Sequence, residues 1–73
     1  MKIFKISHDN KRYDFFLGHV IVANNVQEVI NLAKHVSADE GISIWDEAIV
    51  SEVGNYTGEI RDPFILLSDF NAG

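Results

Sequence analysis

The residues able to do chemistry are few and scattered. Three histidines, His8, His19 and His35, lie far apart on what read as three different elements. They do not form the clustered imidazole and carboxylate set that a metal site needs. His8 beside Asp9 has the form of a solvated loop pair, and His19 sits in an apolar run, where a histidine is partly buried and hydrogen-bonded. Ser7 and His8 are adjacent, but neighbours on a strand point to opposite faces, and a nucleophile with its base is a spatial arrangement. The five glycines, Gly18, Gly41, Gly54, Gly58 and Gly73, stand singly, so no phosphate-cradling loop can be read. Two carboxylate pairs remain, Asp39-Glu40 and Asp46-Glu47. Acid/base work would require a cleft that separates their pKa values, so they are expected as exposed loop acids. No catalysis, cofactor or metal is expected.

Signals of interaction are better than signals of catalysis. Tyr13, Phe15, Phe16, Trp45 and Tyr56 are large aromatics in or beside expected loops. An aromatic there either folds back onto the core or meets a partner. Core is the expectation for most. Phe16 and Trp45 border polar segments and are open to both readings, so they enter the candidate partner-binding set. Asp39, Glu40, Asp46 and Glu47 complete that set as an acidic rim around Trp45, suited to steering a basic partner.

The elements that must position these residues belong to one small domain spanning residues 1–73. A chain of 73 residues has room for one core. Such a domain buries only about 60% of its unfolded surface, and small scaffolds add disulfides, metals or self-association. With no cysteine, disulfides and thiolate sites are excluded, which fits a reducing cytoplasm. Packing or a homodimer is left. The apolar fraction of 47% is that of a folded chain. Eleven acids against six bases give a formal charge of −5 without a run of like charges, so the basic footprint of a nucleic-acid binder is missing. Charged residues occupy the N-terminus where a signal peptide would be apolar, and no run approaches the roughly 20 residues of a membrane span.

Lys2 to Ser7 reads as a first strand and His19 to Ala23 as a second, with Tyr13 to Leu17 ambiguous between them; the two runs should pair as a long-looped hairpin. Asn24-Asn25 offers an N-cap, with Glu28 at the capping-box position. Val26, Val29, Ile30, Ala33 and Val36 recur at helical spacing, giving an amphipathic helix of about four turns. Lys34 and His35 suit its C-terminal end. Ala48 to Val53 reads as a third strand, and Phe64 to Phe70 as the last, whose continuous apolar centre Phe64-Ile65-Leu66-Leu67 predicts burial on both faces or a central place. The expected class is α+β: a four-stranded, mainly antiparallel sheet with one helix across one face, in the order β-β-α-β-β. One helix covers one side only, so apolar groups on the other face need loops or a partner.

Three segments, MKIFKIS, HVIVANNVQEVINLAK and FILLSDFNAG, with a Trp45-containing segment and the Gly54–Gly58 turn between them, cover somewhat more than half of the chain. In these segments it resembles small orphan proteins of phages and prophages. Small acidic phage proteins of this size include anti-CRISPR and other anti-defence inhibitors. The resemblance implies a host-cytoplasmic protein that blocks a bacterial defence protein or complex, without catalysis, membrane attachment or direct nucleic-acid contact. It supplies no catalytic motif. Two other classes stand beside it: a homo-oligomeric structural or morphogenetic phage protein, and a sponge for a nucleotide signal. Bases for an anionic nucleotide are limited to Lys2, Lys5, Lys11, Arg12, Lys34 and Arg61.

Overall fold

Residues 1–72 are described by a computed structural model. Its elements are β1 (Lys2–Ser7), β2 (Phe15–Ala23), α1 (Val26–His35), a 3-10 turn (Ser43–Asp46), β3 (Ile49–Asn55) and β4 (Phe64–Asn71). The four strands form one sheet in the order β3-β1-β2-β4, with every neighbouring pair antiparallel. This is the expected α+β class, and β1 and β2 make the expected long-looped hairpin. The second strand is longer than expected because the aromatic residues from Phe15 onward join it.

Alternation sorts the two central strands between the faces of the sheet. Phe4, Ile6, His19, Ile21 and Ala23 face the helix side, pairing as Phe4↔Ile21 and Ile6↔His19. Together with Val29 and Ala33 of the helix and Trp45 of the 3-10 turn, the apolar members form the buried core. The helix starts where Asn25 takes an extended backbone and its side chain accepts the Glu28 amide at 2.9 Å. Glu28 Oε1 in turn accepts the Asn24 amide at 2.7 Å, so two N–H groups with no partner inside the helix or sheet are satisfied by side chains. Lys34 and His35 occupy the last turn, where the dipole favours positive charge. At 10 residues the helix has about three turns, shorter than expected, and Val26 at its start is exposed.

One expectation is overturned. β4 is an edge strand, and Leu66 and Leu67 are 57% and 66% exposed. The apolar run is divided by a bulge. The register steps from Val20↔Leu67 to Ile21↔Ile65, skipping Leu66, so Ile65 packs on the core while Leu67 turns to the opposite face. A similar irregularity skips Leu17 in β2, and there it brings Phe16 onto the same face as His19.

Because β3 and β4 lie at opposite edges, the Tyr56–Pro63 connection crosses one end of the sheet. It is fastened by the Tyr56 amide donating to the Met1 carbonyl at 3.0 Å and by the Ile60 amide donating to Tyr56 Oη at 3.1 Å. The Tyr56 ring meets Phe64 at 5.3 Å. Phe64 belongs to a row running Gly54, Ile3, Val22, Phe64 across the face away from the helix, and Val22 in that row is fully buried. Loop and edge aromatics thus close one end of the open face. The end nearer Leu67 and Ile49 stays exposed.

Candidate functional site

The six expected partner contacts separate into a buried group and an exposed group. Trp45 is completely buried, so of its two readings the core one holds and its place in the partner-binding set is corrected. Its indole Nε1–H donates to Glu40 Oε2 at 3.0 Å. Glu40 is itself buried, because its Oε1 accepts the Phe16 amide at 3.0 Å and the Ala38 amide at 3.1 Å. A carboxylate holding three N–H donors is stable away from water, whereas turning it outward would strand all three. The rim expected around Trp45 therefore loses its central acid. Glu40 is the pin that draws the segment after α1 against the start of β2.

Around this pin the structure assembles rings that are remote in sequence. His8 lies edge-on to Trp45 at 5.0 Å, His19 is tilted against it at 5.2 Å, and Phe16 contacts His19 at 4.9 Å. Phe16 is half-buried, with Phe70 against it at 4.8 Å, so it too is mainly a packing residue. The Asn10 amide donates to His8 Nδ1 at 3.2 Å, which leaves the His8 proton on Nε2, where it is given to the Phe16 carbonyl at 2.6 Å. His19 Nδ1 shares a 2.8 Å hydrogen bond with Ser68 Oγ, while its Nε2 is buried without a partner. Burial is the main cause that lowers the His19 pKa; the Glu40 carboxylate opposes the shift and His8 adds to it. The imidazole is therefore neutral at pH 7, a core histidine of the kind the sequence suggests.

Asp39, Asp46 and Glu47 are the exposed members of the expected set. The Asp39 amide donates to the Asp14 carbonyl at 3.2 Å, leaving its carboxylate at the surface. Asp46 Oδ1 pairs with Lys34 Nζ at 2.6 Å, tying the 3-10 turn to the helix. Among the described residues no group of three or more histidine or acidic side chains is placed to hold a metal ion. No described helix is long and apolar enough to cross a membrane.

Exposed apolar side chains lie elsewhere, on the edge strands. Leu66, Leu67 and Phe70 are exposed along β4, and Ile49 and Val53 along β3. The outer backbone groups of both strands face no neighbouring strand. Sequence reasoning missed the exposure of Leu66 and Leu67 because the continuous apolar run Phe64-Ile65-Leu66-Leu67 reads as buried or central strand. Only the non-local pairing that puts β4 outside β2 reveals the exposure. No family model, curated protein or solved structure matches the chain.

Proposed function

We propose that this chain is a non-catalytic binding protein that acts by occupying a surface of a protein partner through its β4 edge. The observation that carries the reading is the exposure of Leu66, Leu67 and Phe70 on a strand with a free edge and one charged residue, Asp69. Such an edge offers backbone hydrogen bonds and apolar side chains together, the combination used in strand addition. The buried Glu40 carboxylate is taken up by the three N–H donors that hold the loops, which leaves the surface as the working part.

The resemblance to small phage and prophage proteins directs the proposal to a bacterial defence complex as partner, in the host cytoplasm. Acidity around Asp39 and Glu47 would steer a basic partner surface without itself anchoring it. The test is an affinity pull-down of the tagged chain from lysate of a defended bacterial host, repeated with Leu67→Lys. Recovery of a defence-complex subunit by the unaltered chain, lost in the variant, supports the reading; recovery of the same subunit by both refutes the β4 assignment.

The same edge favours a second reading, a homo-oligomer formed by pairing β4 with β4 of another copy. Light scattering separates the two. A stable dimer that becomes monomeric in Leu67→Lys, with no host protein retained, would support self-association and set the inhibitor reading aside.

A further inference from the structure

We propose that the open face of the sheet carries a site for a small organic anion with an apolar body, held by Lys5 and Lys11. A pocket of about 340 Å³ lies there, at the end of the face that Tyr56 and Phe64 do not cover. Two rows of the sheet build it. One runs from Lys5 through Val20 to Leu67, and the next from Ser7 through Gly18 to Asp69. Gly18 contributes no side chain, so the second row is low between Ser7 and Asp69. Leu17, displaced by the irregularity in β2, and Lys11, from the loop after β1, complete the wall.

The charges in this hollow run against those of the molecule. The chain carries −5 in total, yet the pocket gathers two lysines and a single acid, Asp69. Lys2 is paired with Glu52 and Lys34 with Asp46, whereas Lys5 and Lys11 make no ion pair with a described residue. Two uncompensated ammonium groups above Val20, Leu17 and Leu67 fit a ligand that brings an anionic head and a flat apolar body. Asp69 is placed to accept a hydrogen bond from a hydroxyl or amine on that body. The volume lies at the lower end of the roughly 300–1,000 Å³ typical of small-molecule sites, enough for one ring and its head group. Both lysines are solvent-facing, so charge alone is weakly rewarded and binding requires the apolar floor as well. The site shares Leu67 with the β4 edge, so Lys5→Gln with Lys11→Gln, which leaves Leu67 in place, tests it apart from the partner proposed there.

Phenyl phosphate is the probe, with inorganic phosphate as the head alone and benzyl alcohol as the body alone. Amide shifts of the ¹⁵N-labelled whole chain are followed during titration. For a ligand of this size a Kd of about 1 mM is expected, with saturable shifts at Ser7, Gly18 and Val20 and at least tenfold weaker response to either fragment. Lys5→Gln combined with Lys11→Gln should raise the Kd at least tenfold while thermal unfolding stays unchanged, since both side chains are exposed. The proposal is overturned if shifts fail to saturate, if the double variant binds equally well, or if inorganic phosphate gives the same shifts at the same affinity.

Discussion

The indole N–H of Trp45 and the carboxylate of Glu40, five positions apart in the chain, form a buried hydrogen bond of 3.0 Å. The pairing decides the local architecture. Glu40 also holds the Phe16 and Ala38 amides, so one side chain fixes the segment after α1, the 3-10 turn and the start of β2.

Removing that side chain should be among the most damaging single changes. Glu40→Ala leaves three donors without their acceptor, the buried Trp45 indole N–H and two part-buried amides, at about 3 kcal/mol, a large part of the roughly 4–11 kcal/mol expected for a domain of this length. Trp45→Phe keeps most of the volume but strands Glu40 Oε2, and is expected to cost about 2 kcal/mol. Urea unfolding followed by circular dichroism measures both. A cost below 1 kcal/mol for Glu40→Ala would mean that the pin does not hold.

The exposed acids should behave in the opposite way. Asp46→Asn breaks the ion pair with Lys34, whose side chains are 56% and 30% accessible, and is expected to cost under about 1 kcal/mol. Asp39→Asn and Glu47→Gln should change stability by no more than about 0.5 kcal/mol. Any larger effect in thermal melts would give these residues a structural part that their exposure denies.

His19 makes stability depend on pH. Its folded pKa lies below the ordinary value of 6.5, chiefly through burial, so on acidification the unfolded chain takes up a proton before the folded one. The stability present above pH 6.5 is therefore lost progressively as pH falls from there towards the folded pKa. Melting curves between pH 8 and pH 5 should show the decline, and His19→Gln should lower stability at pH 8 while flattening that part of the profile. An unchanged slope in the variant would move the origin of the pH dependence elsewhere.

Two glycines should resist alanine for different reasons. At Gly18 an added Cβ would lie 2.8 Å from the Ile6 carbonyl oxygen and 3.3 Å from Ser7 Cβ, so β1 and β2 must part, at about 1–3 kcal/mol. Gly41 has open space around it but φ of +77°, and Gly41→Ala is expected to cost about 1–2 kcal/mol from backbone strain alone. Gly41→Asn should recover part of that loss, because asparagine tolerates this region, whereas Gly18→Asn should be worse than Gly18→Ala. Equal responses at the two sites would contradict the distinction.

Local signals in the sequence were legible where local physics decides. The first strand runs from Lys2 to Ser7 as its alternation and flanking polar residues suggest, and the Asn25 cap with Glu28 marks the helix start. The class of fold follows from the order of those elements. What was not legible depends on contacts remote in the chain. Trp45 beside its acids is open to core and surface readings until Glu40 turns inward, and Glu40 turns inward because it finds the Phe16 amide, 24 positions away. Phe64 to Leu67 reads as a central strand because apolar residues run without interruption. The bulge at Leu66 and the place of β4 outside β2 are set by pairing that composition does not encode.

The strand order also dictates how the molecule must come together. β1 and β2 are joined by a single hairpin loop between Ser7 and Phe15 and can zip early, while β3 and β4 attach from opposite sides only after much longer stretches of chain have closed. The sheet grows outward from its middle. Until β4 docks, one side of β2 is an open template and the Phe64–Leu67 run is free in solution, so crowded refolding should lose material to aggregation at this last step.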